Sequence, residues 1–160
     1  MEQPKQNKKP LAAIVGTAAA GLIAVGLHLS EGDVTHTYLD SIGIPTNCMG
    51  NTHGAKLGQT FTKEECAEID EKNMASTAAG VATCVPMGAL RNGQKAATVM
   101  FAFNTGVTAF CRSGFAAKLK AGDPTACAEL SRWVYAGGRE LPGLVNRRKR
   151  ERAICERTDL

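Results

Sequence analysis

Aromatic residues are scarce in this 160-residue chain: five Phe, two Tyr and one Trp make 5% of it, against 17 Gly. A core so poor in rings has to be built from helices in close contact. Histidine is rarer still, at three, and no two of the six cysteines stand as a C-x-x-C pair. A zinc site needs such ligands at short spacing, so no metal is expected, and no cofactor. Internal repeats and disordered linkers are missing too. The length fits one domain with a real core. The formal charge of +4 suits an anionic polymer or membrane surface without specifying either.

Charge is also missing from one long stretch. The first nine residues, MEQPKQNKK, hold three lysines and one glutamate, and then Leu11 to Leu29 runs 19 residues without Asp, Glu, Lys or Arg. About 17–25 such residues cross a bilayer as a helix, and the lysines predict an N-in, C-out orientation. The run fits a cleaved signal peptide, with TAAAG at 17–21 as small residues. It also fits a permanent anchor or a weak one. Its composition favours the weak anchor, because Ala12, Ala13, Gly16, Thr17, Ala18, Ala19, Ala20, Gly21, Ala24 and Gly26 contribute little to insertion. A buried core helix is the plainer alternative. The expected division is residues 1–29 as leader and anchor, and 30–160 as the domain outside the cytoplasm.

Cys48, Cys66, Cys84, Cys111, Cys127 and Cys155 are even in number, which in an exported chain points to three disulfides. Six buried thiols are the alternative. None precedes Cys48, so the apolar run has no thiol to exchange with the rest.

Residues 30–60, rich in Gly, Thr, Asn and Pro with short β-branched runs, predict a small hairpin sheet. Thr62 and Glu65 form a capping box that opens a helix over about 63–83, ending before Pro86. Further helices are predicted at 93–104 with Asn92 as cap, at 108–120, from Asp123 and Pro124 to Val134, and from Pro142 to about 156. YAGGRELPG reads as a loop. The fold class is α+β: a small sheet lobe, a connecting helix and a helical lobe, with a ligand cleft between the lobes.

Glu31, Asp40 and Thr46 stand nine and six residues apart at the start of the sheet lobe. Glycoside hydrolysis needs one protonated carboxyl to donate to the leaving oxygen and one carboxylate to direct water or attack the sugar. The two must sit in different environments. Glu31 follows an apolar run, where partial burial would keep its proton, and Asp40 precedes a Gly turn at a strand end. Spacing alone is a weak signal, since any chain of this length offers many such pairs.

Longer motifs add weight. EG at 31–32, YLDSIGIPT at 38–46, TKEEC at 62–66, FAFNTGVTAFCRSGFAAKL at 101–119, ELSRWVYAGG at 129–138 and GLVNRRKRE at 143–151 resemble the T4-lysozyme-like phage endolysins, glycoside hydrolase family 24, in that family's order. The resemblance spans about residues 30–156 and implies the two-lobed lysozyme fold. It implies an inverting muramidase that cuts the β-1,4 bond between N-acetylmuramic acid and N-acetylglucosamine in peptidoglycan. The family's Glu, Asp and Thr fall on Glu31, Asp40 and Thr46. Tyr38, His53, Asn104 and Arg147 are the expected substrate-binding residues, with Arg147 turning inward to Glu31. NCMGNTHG at 47–54, which holds Met49 and His53, departs from the family's usual aromatic-Gly-His turn. On the implied fold, Cys48–Cys66 would close the small lobe, Cys111–Cys127 would staple a helical hairpin, and Cys84–Cys155 would remain, although sequence permits 15 pairings.

The apolar run resembles the signal-anchor-release segments of lambdoid endolysins. That resemblance implies the host export machinery, tethering at the inner membrane, release to the periplasm when a phage holin collapses the membrane potential, and a monomer. The released segment is expected to refold against the sheet lobe beside Glu31. The basic run RRKRERAICER at 147–157 reads as a solvated helix face with i,i+4 pairs Arg147–Glu151 and Arg152–Glu156. Nucleic acid as its partner conflicts with export. A non-catalytic wall-binding protein and a lytic transglycosylase are the alternatives. Trp133 reads as a core anchor, and His36 as a surface residue.

Overall fold

The computed structural model describes residues 9–31 and 34–159, with the backbone alone for 28–31. The apolar run forms two helices, α1 (Leu11–Val15) and α2 (Thr17–Glu31), where a single span was expected. Gly16 separates them at φ 87°, a left-handed conformation open to glycine. No helix among the described residues is long and apolar enough to cross a membrane. Leu11, Val15, Ala19, Ile23 and Leu27 are buried in the core instead. The segment packs with α1 on α3 (Lys63–Ala82) and α2 on α4 (Asn92–Thr105) and α7 (Pro142–Cys155). That corrects the expectation of docking against the sheet lobe. The cause is the stripe of larger apolar residues, which fits a helical groove and not a two-stranded ribbon.

Strands β1 (Val34–Leu39) and β2 (Pro45–Cys48) form the sheet lobe, antiparallel, with Tyr38 opposite Thr46 and a bulge between Val34 and Tyr38. The Thr62–Glu65 capping box opens α3: Glu65 N donates to Thr62 Oγ1 at 3.1 Å and Thr62 N to Glu65 Oε2 at 2.8 Å. The helix expected at 108–120 is two, α5 (Val107–Cys111) and α6 (Gly114–Lys120), because the Ser113 hydroxyl accepts from Ala116 N and starts a new helix there. The helix expected from Asp123 is a 3-10 helix over Ala126–Arg132, since Asp123 Oδ1 takes the Thr125 N–H and hydroxyl and holds the entry as a turn. The loop after Trp133 contains a hairpin, β3 (Tyr135–Ala136) and β4 (Arg139–Glu140), closed by Gly137 and Gly138 at positive φ.

The few rings are concentrated. Phe101 meets Phe110, Phe115 and Trp133 edge to face at 6.2, 5.8 and 5.1 Å between centroids. Disulfides join Cys48 to Cys66, Cys84 to Cys111 and Cys127 to Cys155. The expected Cys84–Cys155 and Cys111–Cys127 are therefore corrected. The reversal at Gly106, at φ 92°, ends α4 and lays α5 against α3, which brings Cys111 to Cys84. The 3-10 helix lies along α7, which brings Cys127 to Cys155.

Candidate active site

Asp40 and Thr46 meet through one peptide. Asp40 Oδ1 accepts the N–H groups of Ile42 and Ile44, both at 2.9 Å. Ile44 O in turn accepts Asp40 N at 3.0 Å and the Thr46 hydroxyl at 2.9 Å. Gly43, at φ 81°, makes the tight reversal possible, with its N–H on Asp40 O. The chemical result is specific. One carboxylate oxygen of Asp40 is taken by two amides and the other is not engaged by them. The Thr46 proton is committed to Ile44 O, so its remaining lone pairs can only accept.

Glu31 is the last residue of α2 by backbone; its side chain lies outside the described residues. Tyr38 is the cross-strand neighbour of Thr46, and half-buried. His53 is exposed, and its carbonyl accepts from Asn51 Nδ2 at 3.3 Å. Asn104 is exposed at the end of α4. The expected meeting of Arg147 with Glu31 concerns a side chain outside the described residues.

Sequence reasoning missed the arginine beside it. Arg148 is 2% exposed, its guanidinium 4.9 Å from the Phe101 ring centre. Its Nε donates to Trp133 O at 3.0 Å, Nη1 to Glu151 and Nη2 to Asn104. One buried fork thus ties the end of α4, the loop before the β3–β4 hairpin and α7 together. Glu151, 1% exposed, pairs with Arg148 at i,i+3, which corrects the expected Arg147–Glu151 pair. Burial pushes its carboxyl above the usual range, and Arg148 works against that. Arg152–Glu156 is present at 2.7 Å. The basic run is therefore solvated on one face only. Cys155 was the available signal: residues four and seven positions before a buried cysteine share its helix face, and these are Glu151 and Arg148.

Known proteins resemble this chain over most of its length. The phage lysozyme family model matches residues 28–151. The SAR-endolysin of Enterobacteria phage PA-2 is 32% identical over 160 residues, covering 95% of this chain and 96% of its own. The SAR-endolysin of Escherichia phage Mu is 33% identical over 159 residues, covering 94% and 91%. Among solved structures, the active form of P1 phage endolysin Lyz superposes with a TM-score of 0.78 at 22% identity, covering 91% of this chain and 92% of that one.

Proposed function

This chain belongs to the phage lysozyme family, and from that membership and the turn at Asp40 we propose that it is an inverting muramidase with Glu31 as its acid. It is a phage endolysin, a lysozyme-type hydrolase of peptidoglycan that lyses the host cell. Glu31 would protonate the glycosidic oxygen as the bond breaks. The end of a helix gathers negative partial charge from unpaired carbonyls, and this favours the protonated carboxyl that an acid needs. A water on the opposite face of the sugar would give one hydrogen bond to the free oxygen of Asp40 and one to Thr46 Oγ1. Its lone pair then faces the anomeric carbon. Asp40 takes the proton as the new C–O bond forms, and configuration inverts.

The observation that carries this is residue Ile44, whose N–H binds Asp40 Oδ1 and whose carbonyl takes the Thr46 hydroxyl proton, which leaves both side chains with acceptor capacity for a water. It favours hydrolysis over a lytic transglycosylase, which needs the acid but no held water. The test is Glu31→Gln and Asp40→Asn in the soluble chain, with product anomers followed by NMR. Glu31→Gln should abolish turnover with the fold intact, and Asp40→Asn should act mainly on kcat. Retained turnover, retained configuration or anhydro ends would overturn the assignment. Tyr38, Asn104 and Arg147 would line the glycan path.

Residues 1–29 would form the leader and signal-anchor-release segment, inserted N-in through the host export machinery, and 30–160 the catalytic domain as a monomer. Loss of membrane potential through a holin would free the segment into the periplasm. Support comes from the chain itself: Glu31 ends the helix that the apolar run forms on docking. Tethered, the acid would sit at the membrane edge; docked, it belongs to the folded domain.

A further inference from the structure

A line of amides, half-buried at Asn73 and buried at Asn51 and Asn47, runs beneath the strand that carries Thr46. Asn73 Nδ2 on α3 donates to Asn51 Oδ1 at 2.9 Å. Asn51 Nδ2 donates to Asn47 Oδ1 at 2.9 Å, and Asn47 Nδ2 to Thr37 Oγ1 on β1 at 3.4 Å. The backbones of Asn47 and Asn51 close on each other at 2.9 and 2.8 Å. One turn before Asn73, Asp70 Oδ1 accepts Met49 N at 3.2 Å. Asn47 and Asn51 are 1% and 5% exposed.

Burying so many polar groups is unfavourable unless each is bonded, and an apolar cluster would join these elements without that cost. What amides add is direction. Each amide of the line donates from α3 toward the sheet, and Asn51 Nδ2 also donates to His53 O at 3.3 Å, so each amide has one orientation. The line passes through Asn47, the residue after Thr46, and fixes both its backbone and its side chain before it ends on Thr37. We propose that Asn73 is a positioning residue for Thr46, acting through Asn51 and Asn47, and so for the water held by Thr46 and Asp40. This rests on the role given to Thr46 above.

Asn73→Asp tests it with almost no change of shape. A carboxylate cannot donate to Asn51 Oδ1. Asn51 would turn its own donor toward it and leave Asn47 without one. In steady-state hydrolysis of a defined peptidoglycan glycan by the full chain, kcat should fall about tenfold or more with KM unchanged, within what a misplaced reacting group costs. As pH drops through the ordinary carboxylate range, the introduced carboxyl gains a proton and can donate again. The ratio of its kcat to that of the unmodified chain should then recover, which a merely structural lesion would not produce. Asn73→Ala removes the donor without adding charge and gives a second measurement should the first variant not fold. Thr46→Val run alongside separates the two levels. If Thr46→Val loses kcat while Asn73→Asp, or Asn73→Ala in its place, keeps it within twofold, the relay is overturned and the role of Thr46 stands. If Thr46→Val keeps full kcat, that role fails and the relay fails with it.

Discussion

Glycines in the apolar run do different work in the two states proposed for it, and the structure tells them apart. A Cβ on Gly26 would lie 2.4 Å from Met100 Cε and 2.9 Å from its Sδ, with Ile154 Cδ1 at 3.5 Å. A Cβ on Gly21 would meet nothing within 4 Å. In a bilayer the two positions are equivalent: leucine near the helix centre favours insertion by about 0.3–0.6 kcal/mol. In the docked form they diverge. Gly26→Leu forces a whole side chain between α2 and α4, an overpacking of about 2 kcal/mol, or about 4–8 °C of Tm for a chain of this size. Gly21→Leu leaves the packing alone and adds helix propensity, so Tm should hold or rise slightly. The assay has two arms: thermal unfolding of the soluble chain, and the share in the membrane fraction of expressing cells with the timing of lysis. Gly21→Leu should delay release with Tm unchanged, and Gly26→Leu should delay release and lower Tm. Equal Tm values would refute the α2–α4 packing. A membrane share unchanged by Gly21→Leu would refute the release model.

Peptide mapping of the oxidised chain should give Cys48–Cys66, Cys84–Cys111 and Cys127–Cys155, and a Cys84–Cys155 peptide would contradict the fold. Replacing Cys127 and Cys155 with serine opens a loop spanning 28 positions and should cost about 3–4 kcal/mol in denaturant unfolding; a loss under about 1 kcal/mol would show the bridge to be idle. Hydrogen bonding from Lys118, 2.8 Å away, holds Glu129's carboxyl below the usual range. A depressed acid stabilises above that range and loses its contribution as pH falls through its own value, so Glu129→Gln should flatten the acid limb of Tm against pH. Glu151, raised by burial, has the opposite sign, and Glu151→Gln should steepen that limb.

Local chemistry was legible where a residue acts on its near neighbours. The Thr62–Glu65 box and Pro142 at a helix start marked their helices because a cap is a bond within one turn. The hairpin carrying Asp40 and Thr46 was legible for the same reason. What stayed hidden depended on partners far along the chain. Arg148 is inside because Asn104 and Trp133 O, 44 and 15 residues away, receive it. The amide line from Asn73 to Thr37 joins three elements, and no one of them marks its asparagines as buried. The disulfide partners turned on which elements pack together, α5 on α3 after the reversal at Gly106 and the 3-10 helix on α7, and no local signal carries that.

The apolar run makes the sharpest case, because two structures are proposed for it. Its small residues suit a helix that inserts weakly. Five of its apolar residues, Leu11, Val15, Ala19, Ile23 and Leu27, stand four apart, and all five are buried. A spacing of four residues draws one stripe along an α-helix. The stripe survives the break at Gly16, since both halves turn the same face to the core. A segment meant only for a bilayer has no need of a single face, as lipid surrounds it on every side. Docking is completed at the far end, where Leu11 N donates to Glu71 Oε1 at 2.8 Å. That bond lies on α3, the helix whose Asp70 and Asn73 hold the turn beyond Thr46. One helix therefore receives the segment that ends in Glu31 and supports the strand that bears Thr46. The two halves of the proposed site share a single strut, and under the release model they would come together when the segment docks on it.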